Sequence, residues 1–398
     1  MKIVFIAPFG IRPKGTVIAR MIPLAAELQL LGHKVTIVAP PYTNPEDSGK
    51  TEKVSGVMIK NILLGPSNKV IAALVLSRRL YRVAMAENPD VVHLFKPKGY
   101  GGVAAFAHIL LRRLGRRLPP IFVDVDDWEG PGGMNELHPY TWVERSVFGL
   151  QEGWLQKSAS GVTAASRTLL ARTKDLGIPS GKAFYLPNGV DDLPPGDGTR
   201  VRAKLGIPPE APVVLLYTRF FEFDQGRLHR IFAGICGQVP GVCFLVVGKG
   251  RSGEEELLAE TAKTLGFAQA LFMAGWVEPQ EIPDYLAAGD VALYPFADTL
   301  VNRAKCPAKL TELLRAGLPV VSDNVGQLAE YINPGTSGIL CDPDDWREMA
   351  DRAVELLRDK GKSRTIGEVG RRYLLDNFRW RNFAAKLMEF YAVNGRPS

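Results

Sequence analysis

Cysteine is scarce in this chain, with four in 398 residues and none in a Cys-x-x-Cys pair. Cys236, Cys243, Cys306 and Cys341 suit neither a disulfide framework nor, with five histidines in the whole chain, a zinc site. They read as buried, reduced thiols of a cytoplasmic protein. No apolar run reaches the length needed to cross a bilayer. The opening MKIVFIAPFG is too short for the apolar part of a secretory leader and reads as a first strand. Internal repeats and low-complexity tracts are missing too, which excludes solenoid and linker classes. What remains is an ordinary globular composition, 46% hydrophobic and 23% charged, long enough for two or three domains.

Acidic residues are also scarce, in one place. Between Lys60 and Pro120 stand eleven basic residues (Lys60, Lys69, Arg78, Arg79, Arg82, Lys96, Lys98, Arg112, Arg113, Arg116, Arg117) against Glu87 and Asp90 alone. That surplus of nine exceeds the +7 of the whole chain, so the remainder is close to neutral. Two expected helices carry it, KVIAALVLSRRLYRVAMAE and GVAAFAHILLRRLGRR, each with an apolar face and an Arg-rich end. Peripheral docking on a membrane gives this pattern, as does a site for an anionic acceptor. So do two core helices whose last-turn arginines offset the helix dipole. No aromatic or Arg-rich recognition pattern accompanies the charge, so nucleic acid is not an expected partner.

Short β-rich runs alternate with helical periodicity throughout, which predicts an α/β fold with parallel sheets. Strands are expected at Lys2–Ala7, Lys34–Ala39, Val91–Leu94, Ile121–Val125, Gly161–Ala164 and Ala183–Leu186. After the Gly-, Pro- and Asp-rich stretch Pro187–Thr199 the pattern restarts. Its second set is Val213–Tyr217, Val242–Val247, Ala270–Ala274, Val291–Pro295, Pro319–Ser322 and Gly338–Cys341. Each set predicts a doubly wound, Rossmann-like sheet with ligands at its carboxyl edge. The expected organisation is residues 1–187, residues 188–376 and a terminal helical segment 377–398, with a cleft where chemistry takes place.

Residues 303–323, RAKCPAKLTELLRAGLPVVSD, carry the clearest chemical signal. Pro307 suits the first position of a helix, and Leu310, Leu313 and Leu314 give it an apolar face. Gly317 and Pro319 end it, and Val320 and Val321 start a buried strand. The start of such a helix offers backbone N–H groups and a positive dipole end to an anion. Lys309 adds a cation that opposes the dipole and so does little for helix stability. Glu312 follows on the same face, suited to accept from sugar hydroxyls. A surface helix with a surface Lys and Glu is the other reading of these residues.

With these pieces in order, the chain resembles the GT-B-fold glycosyltransferases, specifically glycosyltransferase family 4. The resemblance runs through PKGT (Pro13–Thr16), LAAELQLLGHKVTIVAP, the hinge YLPNGVD, LLYTRF, GWVEPQEIPDYLAAGDVALYP and TELLRAGLPVV, and ends with the last helix. It implies an acceptor-binding domain, a nucleotide-sugar-binding domain, and a final helix that crosses back to the first. Arg219 resembles the arginine that grips the donor diphosphate. The lysine that usually follows it is replaced by Gln225, before Gly226, and Lys309, with Lys305, is expected to supply that charge. Gly275, Trp276 and Val277 resemble the segment that reads the nucleobase through its backbone. Pro307, Ala308, Lys309 and Leu310 form the phosphate side of the pocket, and Glu312 is placed to hold the ribose. Of the family's two glutamates eight positions apart, the first falls on Ala304.

In the first domain the resemblance implies that Lys14, Gly15 and Thr16 approach the donor; closure is expected about Asn188–Asp191, with Asn188 itself among the substrate-binding residues. Asp126 aligns with a position where family members often carry a histidine, and with Asp127 it is expected to accept from sugar or acceptor hydroxyls. Asp124-Val125-Asp126 also matches a metal-binding Asp-x-Asp, although the fold offsets leaving-group charge with cations and a helix terminus. Asp127 capping the turn before Trp128 is the structural alternative. The implied reaction is retaining hexosyl transfer from a UDP- or GDP-linked sugar in cell-envelope or polysaccharide synthesis. Asp126, Asp127, Arg219 and Lys309 are the catalytic candidates, with no metal or other cofactor. The acceptor is expected to be a glycan, a phosphorylated small molecule or a lipid-linked substrate. A nucleotide-binding pseudo-enzyme, an epimerase or hydrolase on the same fold, and a basic scaffold are the competing classes.

Overall fold

The computed structural model describes residues 1–12, 15–66 and 68–395, and divides into two compact units. The first comprises Met1–Gly189 with Ala304–Cys306 and the chain from Phe378; the second comprises Val190–Arg303 and Pro307–Asn377.

The elements of the first part are β1 (Lys2–Ile6), α1 (Ile22–Leu30), β2 (Lys34–Ala39), β3 (Thr51–Val54), β4 (Val57–Asn61), α2 (Lys69–Ala86) and β5 (Val91–Phe95). They continue with α3 (Gly99–Arg113), β6 (Ile121–Val125), α4 (Trp142–Ser158), β7 (Gly161–Ala164), α5 (Arg167–Asp175) and β8 (Ala183–Tyr185). A π-helical turn, Val17–Met21, leads into α1. The sheet order is β3-β4-β2-β1-β5-β6-β7-β8, parallel except for the β3–β4 hairpin. That hairpin was not expected from sequence. Its turn, Ser55–Gly56, has φ of 49° and 82°, the left-handed pair that a two-residue hairpin loop requires.

The second part runs α6 (Gly198–Leu205), β9 (Val213–Tyr217), α7 (Gln225–Cys236), β10 (Cys243–Val247), α8 (Glu254–Leu265), β11 (Leu271–Gly275), α9 (Ile282–Ala287) and β12 (Val291–Tyr294). Then follow α10 (Leu300–Ala304), α11 (Ala308–Arg315), β13 (Val320–Asp323), α12 (Leu328–Tyr331), β14 (Ile339–Cys341), α13 (Trp346–Arg358), α14 (Lys360–Asn377) and α15 (Trp380–Asn394). Its sheet is wholly parallel, in the order β11-β10-β9-β12-β13-β14. Both faces of a parallel sheet are covered, so β9, β10 and β12 are buried along their length. Phe232 of α7 stacks on Phe244 of β10 at 4.3 Å, with Phe267 edge-on to both. Each such ring contributes roughly 1.5–3 kcal/mol by burial.

In each sheet the strand order reverses once, between β1 and β5 in the first and between β9 and β12 in the second. The loops leaving neighbouring strands diverge there and open a crevice at the carboxyl edge. In the first unit these loops contain Thr16 and Lys96, with Asp126 leaving the adjacent β6; in the second they contain Arg219 and Pro295. The last helix, α15, packs on α1 within the first unit. Trp380 is almost fully buried, and Phe390 and Tyr391 lie against Phe122.

Candidate functional site

In the second unit, β9 delivers Tyr217 and Thr218 to the edge, and the chain then turns sharply. Phe220 has a left-handed φ of 66°, held by its N–H donating to Thr218 Oγ1 at 2.8 Å and its carbonyl accepting from Gln225 Nε2 at 2.6 Å. Gln225, standing where a second cation was sought in sequence, therefore braces this turn. Next door, Gly248 ends β10 with φ 128°, and a Cβ there would lie 1.8 Å from the Thr218 carbonyl oxygen. Only glycine lets the two loops meet at this distance.

Arg219 is half-exposed, donates to Glu222 Oε1 at 3.3 Å, and lies 4.9 Å over the Phe221 ring. Arg251, from the loop after β10, lies 4.7 Å from the same ring. Two guanidinium groups thus share one aromatic side chain. Sequence reading missed Arg251, because nothing in its spacing ties it to Arg219.

The helix predicted in residues 303–323 is α11, and Pro307 is its N-cap rather than its first residue. Leu310, Leu313 and Leu314 are fully buried, Gly317 has φ 77° beyond the last turn, and β13 begins at Val320. Leu310 therefore acts in the core through its side chain and reaches the pocket side only through its backbone, with Ala308 beside it in the first turn. The Lys309 ammonium sits 3.4 Å from the centre of the Tyr217 ring, a cation–π contact. The Tyr217 hydroxyl hydrogen-bonds Glu312, and burial, reinforced by the Glu312 charge, holds that phenol far above its ordinary pKa. One ring thus fixes both Lys309 and Glu312.

A shallow, open depression lies here, lined by Leu216, Tyr217, Thr218, Glu222, Phe223, Tyr294, Pro295 and Lys309. It lies at the switch between β9 and β12. Arg227 and Asp323, a buried bidentate pair at 2.7–2.8 Å, support it from behind, and Asp323 also accepts from Phe296 N–H at 2.6 Å. At the end of β11, Gly275 has its carbonyl bound by Gly248 N–H, Trp276 is 58% exposed and Val277 is buried. Trp276 thus presents a large aromatic face, whereas the sequence suggested only its backbone.

In the first unit Thr16 Oγ1 donates to Asp126 Oδ2 at 2.7 Å, next to Gly15 at the start of the helical turn. Lys14 lies outside the described residues. The Asp126 side chain is 10% exposed, and its desolvation raises the carboxyl pKa; Lys96, 3.2 Å away, opposes that rise and Asp127 adds to it. Lys96 also pairs with Asp127 and approaches Glu129 at 3.7 Å. Burial would lower the Lys96 ammonium, but its three carboxylate neighbours more than offset this and hold it well above its usual value. Its backbone is left-handed, φ 58°, and its N–H is bound to the Asp124 carbonyl. Lys98 adds contacts to Glu129 at 2.7 Å and Asn135 at 3.2 Å. Glu152 of α4 is buried nearby, and burial drives its carboxyl well above the ordinary range.

Asp124 faces a different partner. Arg20 Nε and Nη2 clamp it at 2.8 and 2.6 Å, both side chains being buried, and Thr163 donates to the same carboxylate. The Asp-x-Asp oxygens are thus engaged by Arg20 on one side and by Thr16 and Lys96 on the other. Arg20 also donates to the Leu186 carbonyl at 2.7 Å and to Asn188 Oδ1 at 3.2 Å. Asn188 Nδ2 in turn donates to the Cys306 carbonyl at 2.8 Å, so this residue pins chain to chain. Ala304 is fully buried and its carbonyl accepts from Ser166 Oγ at 2.7 Å. An acidic side chain at 304 would enter a packed interior.

Two family models match the chain: residues 15–189 match "Glycosyl transferase 4-like domain", and residues 212–359 match "Glycosyl transferases group 1". A GDP-mannose-dependent alpha-(1-6)-phosphatidylinositol monomannoside mannosyltransferase of Mycolicibacterium smegmatis is 25% identical over 372 residues, covering 92% of this chain and 91% of that protein. Among solved structures, Anabaena HepE in complex with UDP superposes with a TM-score of 0.71 at 19% identity, covering 99% of this chain and 100% of that one. Sucrose-phosphate synthase of Thermosynechococcus elongatus gives a TM-score of 0.75 at 17% identity, covering 99% of both chains.

Proposed function

Because this chain belongs to the GT-B-fold glycosyltransferases of family 4, enzymes that use nucleotide-sugar donors, we propose that it transfers a hexose from a UDP- or GDP-linked sugar to a hydroxyl of an anionic, lipid-linked acceptor, with retention of anomeric configuration. The observation that carries this reading is the gathering of Lys309, Arg219 and the first turn of α11 at the switch point of the second sheet. These groups receive the donor diphosphate, and Arg251 adds a further cation beside Arg219. Glu312, oriented by Tyr217, accepts from the ribose hydroxyls, and Trp276 covers the base.

As the bond from the anomeric carbon to the β-phosphate breaks, its electron pair stays on the phosphate oxygen. Preorganised cations and N–H dipoles stabilise the charge that grows there, usually the largest single catalytic term. That same oxygen takes the proton of the acceptor hydroxyl on the same face, while the hydroxyl oxygen bonds to the anomeric carbon. No covalent sugar–enzyme intermediate and no metal ion is part of this scheme. Asp126, with Asp127, orients hydroxyl groups through its accepting oxygens. The basic first unit and the phosphatidylinositol-based acceptor in the mycobacterial relative's name support a lipid-linked acceptor made for the cell envelope at the inner face of the membrane.

Thermal melting of the full chain against a panel of nucleoside diphosphates and their sugars tests the proposal, since a ligand at 100 times its Kd adds about 2.7 kcal/mol. One base is expected to raise the melting temperature, and its sugar conjugate to release nucleoside diphosphate when acceptor is present. No shift with any nucleotide refutes the phosphate site. Because Ala304 leaves the sugar side without the family's first carboxylate, release that ignores acceptor instead points to a hydrolase or epimerase.

A further inference from the structure

The first unit keeps an unusual amount of apolar surface uncovered. Among the described residues, twelve of the twenty-two exposed large hydrophobic side chains fall between Leu63 and Leu150, less than a quarter of the chain. They form stripes. On α3 and its C-cap, Phe106, Leu110 and Leu114 recur every fourth residue, 42%, 46% and 71% exposed. Val143, Val147 and Leu150, spaced by four and three, line one side of α4, and Val70 and Leu74 the first turns of α2.

The three helices form one face. Phe106 packs on Trp154 of α4 at 4.3 Å, Arg113 lies over that indole at 5.2 Å, and Tyr81 of α2 meets His108 of α3 edge-on. Beside the stripes stand exposed arginines: Arg78 and Arg82 on α2, and Arg113 on α3 with Arg116 and Arg117 just beyond it. The two acids between α2 and α3 are engaged elsewhere, Glu87 by Lys60 and Asp90 by the Lys2 backbone. Glu144 closes the capping box of α4.

This combination selects an occupant. A second copy of the chain on this face would bring two arginine clusters together. A soluble polyanion would use the arginines and leave the stripes wet. An anionic bilayer surface satisfies both, taking the apolar side chains below its headgroups and the guanidinium groups at its phosphates. We infer that the α2–α3–α4 face of the first unit docks on anionic lipid, with Leu110, Leu114 and Val147 inserting and Arg78, Arg113, Arg116 and Arg117 holding the headgroups.

Co-sedimentation of the full chain with phosphatidylglycerol-containing vesicles, against pure phosphatidylcholine vesicles, tests this. Binding is expected with the anionic vesicles alone, falling with salt and by about five-fold for each arginine changed to Gln. The variant Leu110→Glu/Leu114→Glu is expected to abolish it. These side chains are exposed, so an unchanged melting temperature and unchanged nucleotide shifts keep a lost fold, or a wrong donor site, distinct from a lost docking face. Three results overturn the inference: no binding to anionic vesicles, binding that survives the double glutamate variant, and a dimer in solution that this variant splits.

Discussion

Replacing Asp124 by Asn is the sharpest test of how the first unit is held. Arg20 and Asp124 are 1% and 0% exposed, and two donors of the guanidinium meet the two carboxylate oxygens at 2.8 and 2.6 Å. Removing one partner of a buried pair leaves the other charge uncompensated, a loss of about 3–5 kcal/mol. Asn keeps one accepting oxygen, so Asp124→Asn should fall at the lower end and Asp124→Ala at the upper. With a urea m-value of about 2 kcal/mol/M, that is a midpoint lower by about 1.5–2.5 M. Urea unfolding followed by tryptophan fluorescence, read for the transition of the first unit, measures it. The double variant Arg20→Met/Asp124→Leu removes both charges and should recover most of the loss, short of the contacts from Arg20 to the Leu186 carbonyl and Asn188. A midpoint within about 0.3 M of the parent in Asp124→Asn would refute the reasoning, because no buried, uncompensated guanidinium could cost so little.

Arg219→Ala should weaken nucleoside diphosphate binding by about 10–100-fold, the loss of a charge-assisted contact, read by calorimetric titration; unchanged affinity would move the phosphates elsewhere. Arg251→Ala should weaken it less, by roughly 2–5-fold, as for an exposed cation–π partner. Gly248→Ala should destabilise the second unit by at least about 2 kcal/mol, since the new methyl meets the Thr218 carbonyl and φ is 128°; a parental melting curve would contradict this. His93, buried against Tyr391 and Thr163, has its pKa lowered by burial from 6.5 to about 4. Between those values the unfolded chain holds the extra proton, so stability rises with pH, and up to about 3 kcal/mol is lost as pH falls from 6.5 to 4. Unfolding midpoints across that range, with His93→Gln as the control lacking this slope, check it.

The strands and the 303–323 unit were legible because burial leaves unbroken apolar runs and because Gly317 and Pro319 punctuate the helix end. The β3–β4 hairpin escaped notice although Thr51–Asn61 alternates, since its strands are short and its turn, Ser-Gly, is a weak signal. Lys309 and Glu312 could be picked out by helical spacing, but not Tyr217, which links them from another strand. Lys96 was visible only as one cation in a basic block. Its role comes from β5 and β6 lying side by side, which brings Asp126, Asp127 and Glu129 around it. Asn188 was read as a binding position and Gln225 as the place of a missing cation, yet their amides are engaged in bracing backbone, a use that spacing along a chain does not encode.

The position of α15 has a consequence for biogenesis. Trp380, Phe390 and Tyr391 fill the interior of a unit whose last strand ends at Tyr185. A ribosome adding roughly 5–20 residues per second needs about 10–40 s to travel from there to the final helix. Throughout that interval the nascent amino-terminal half carries an unsealed seam over Phe122 and His93, and its completion waits on synthesis of α15.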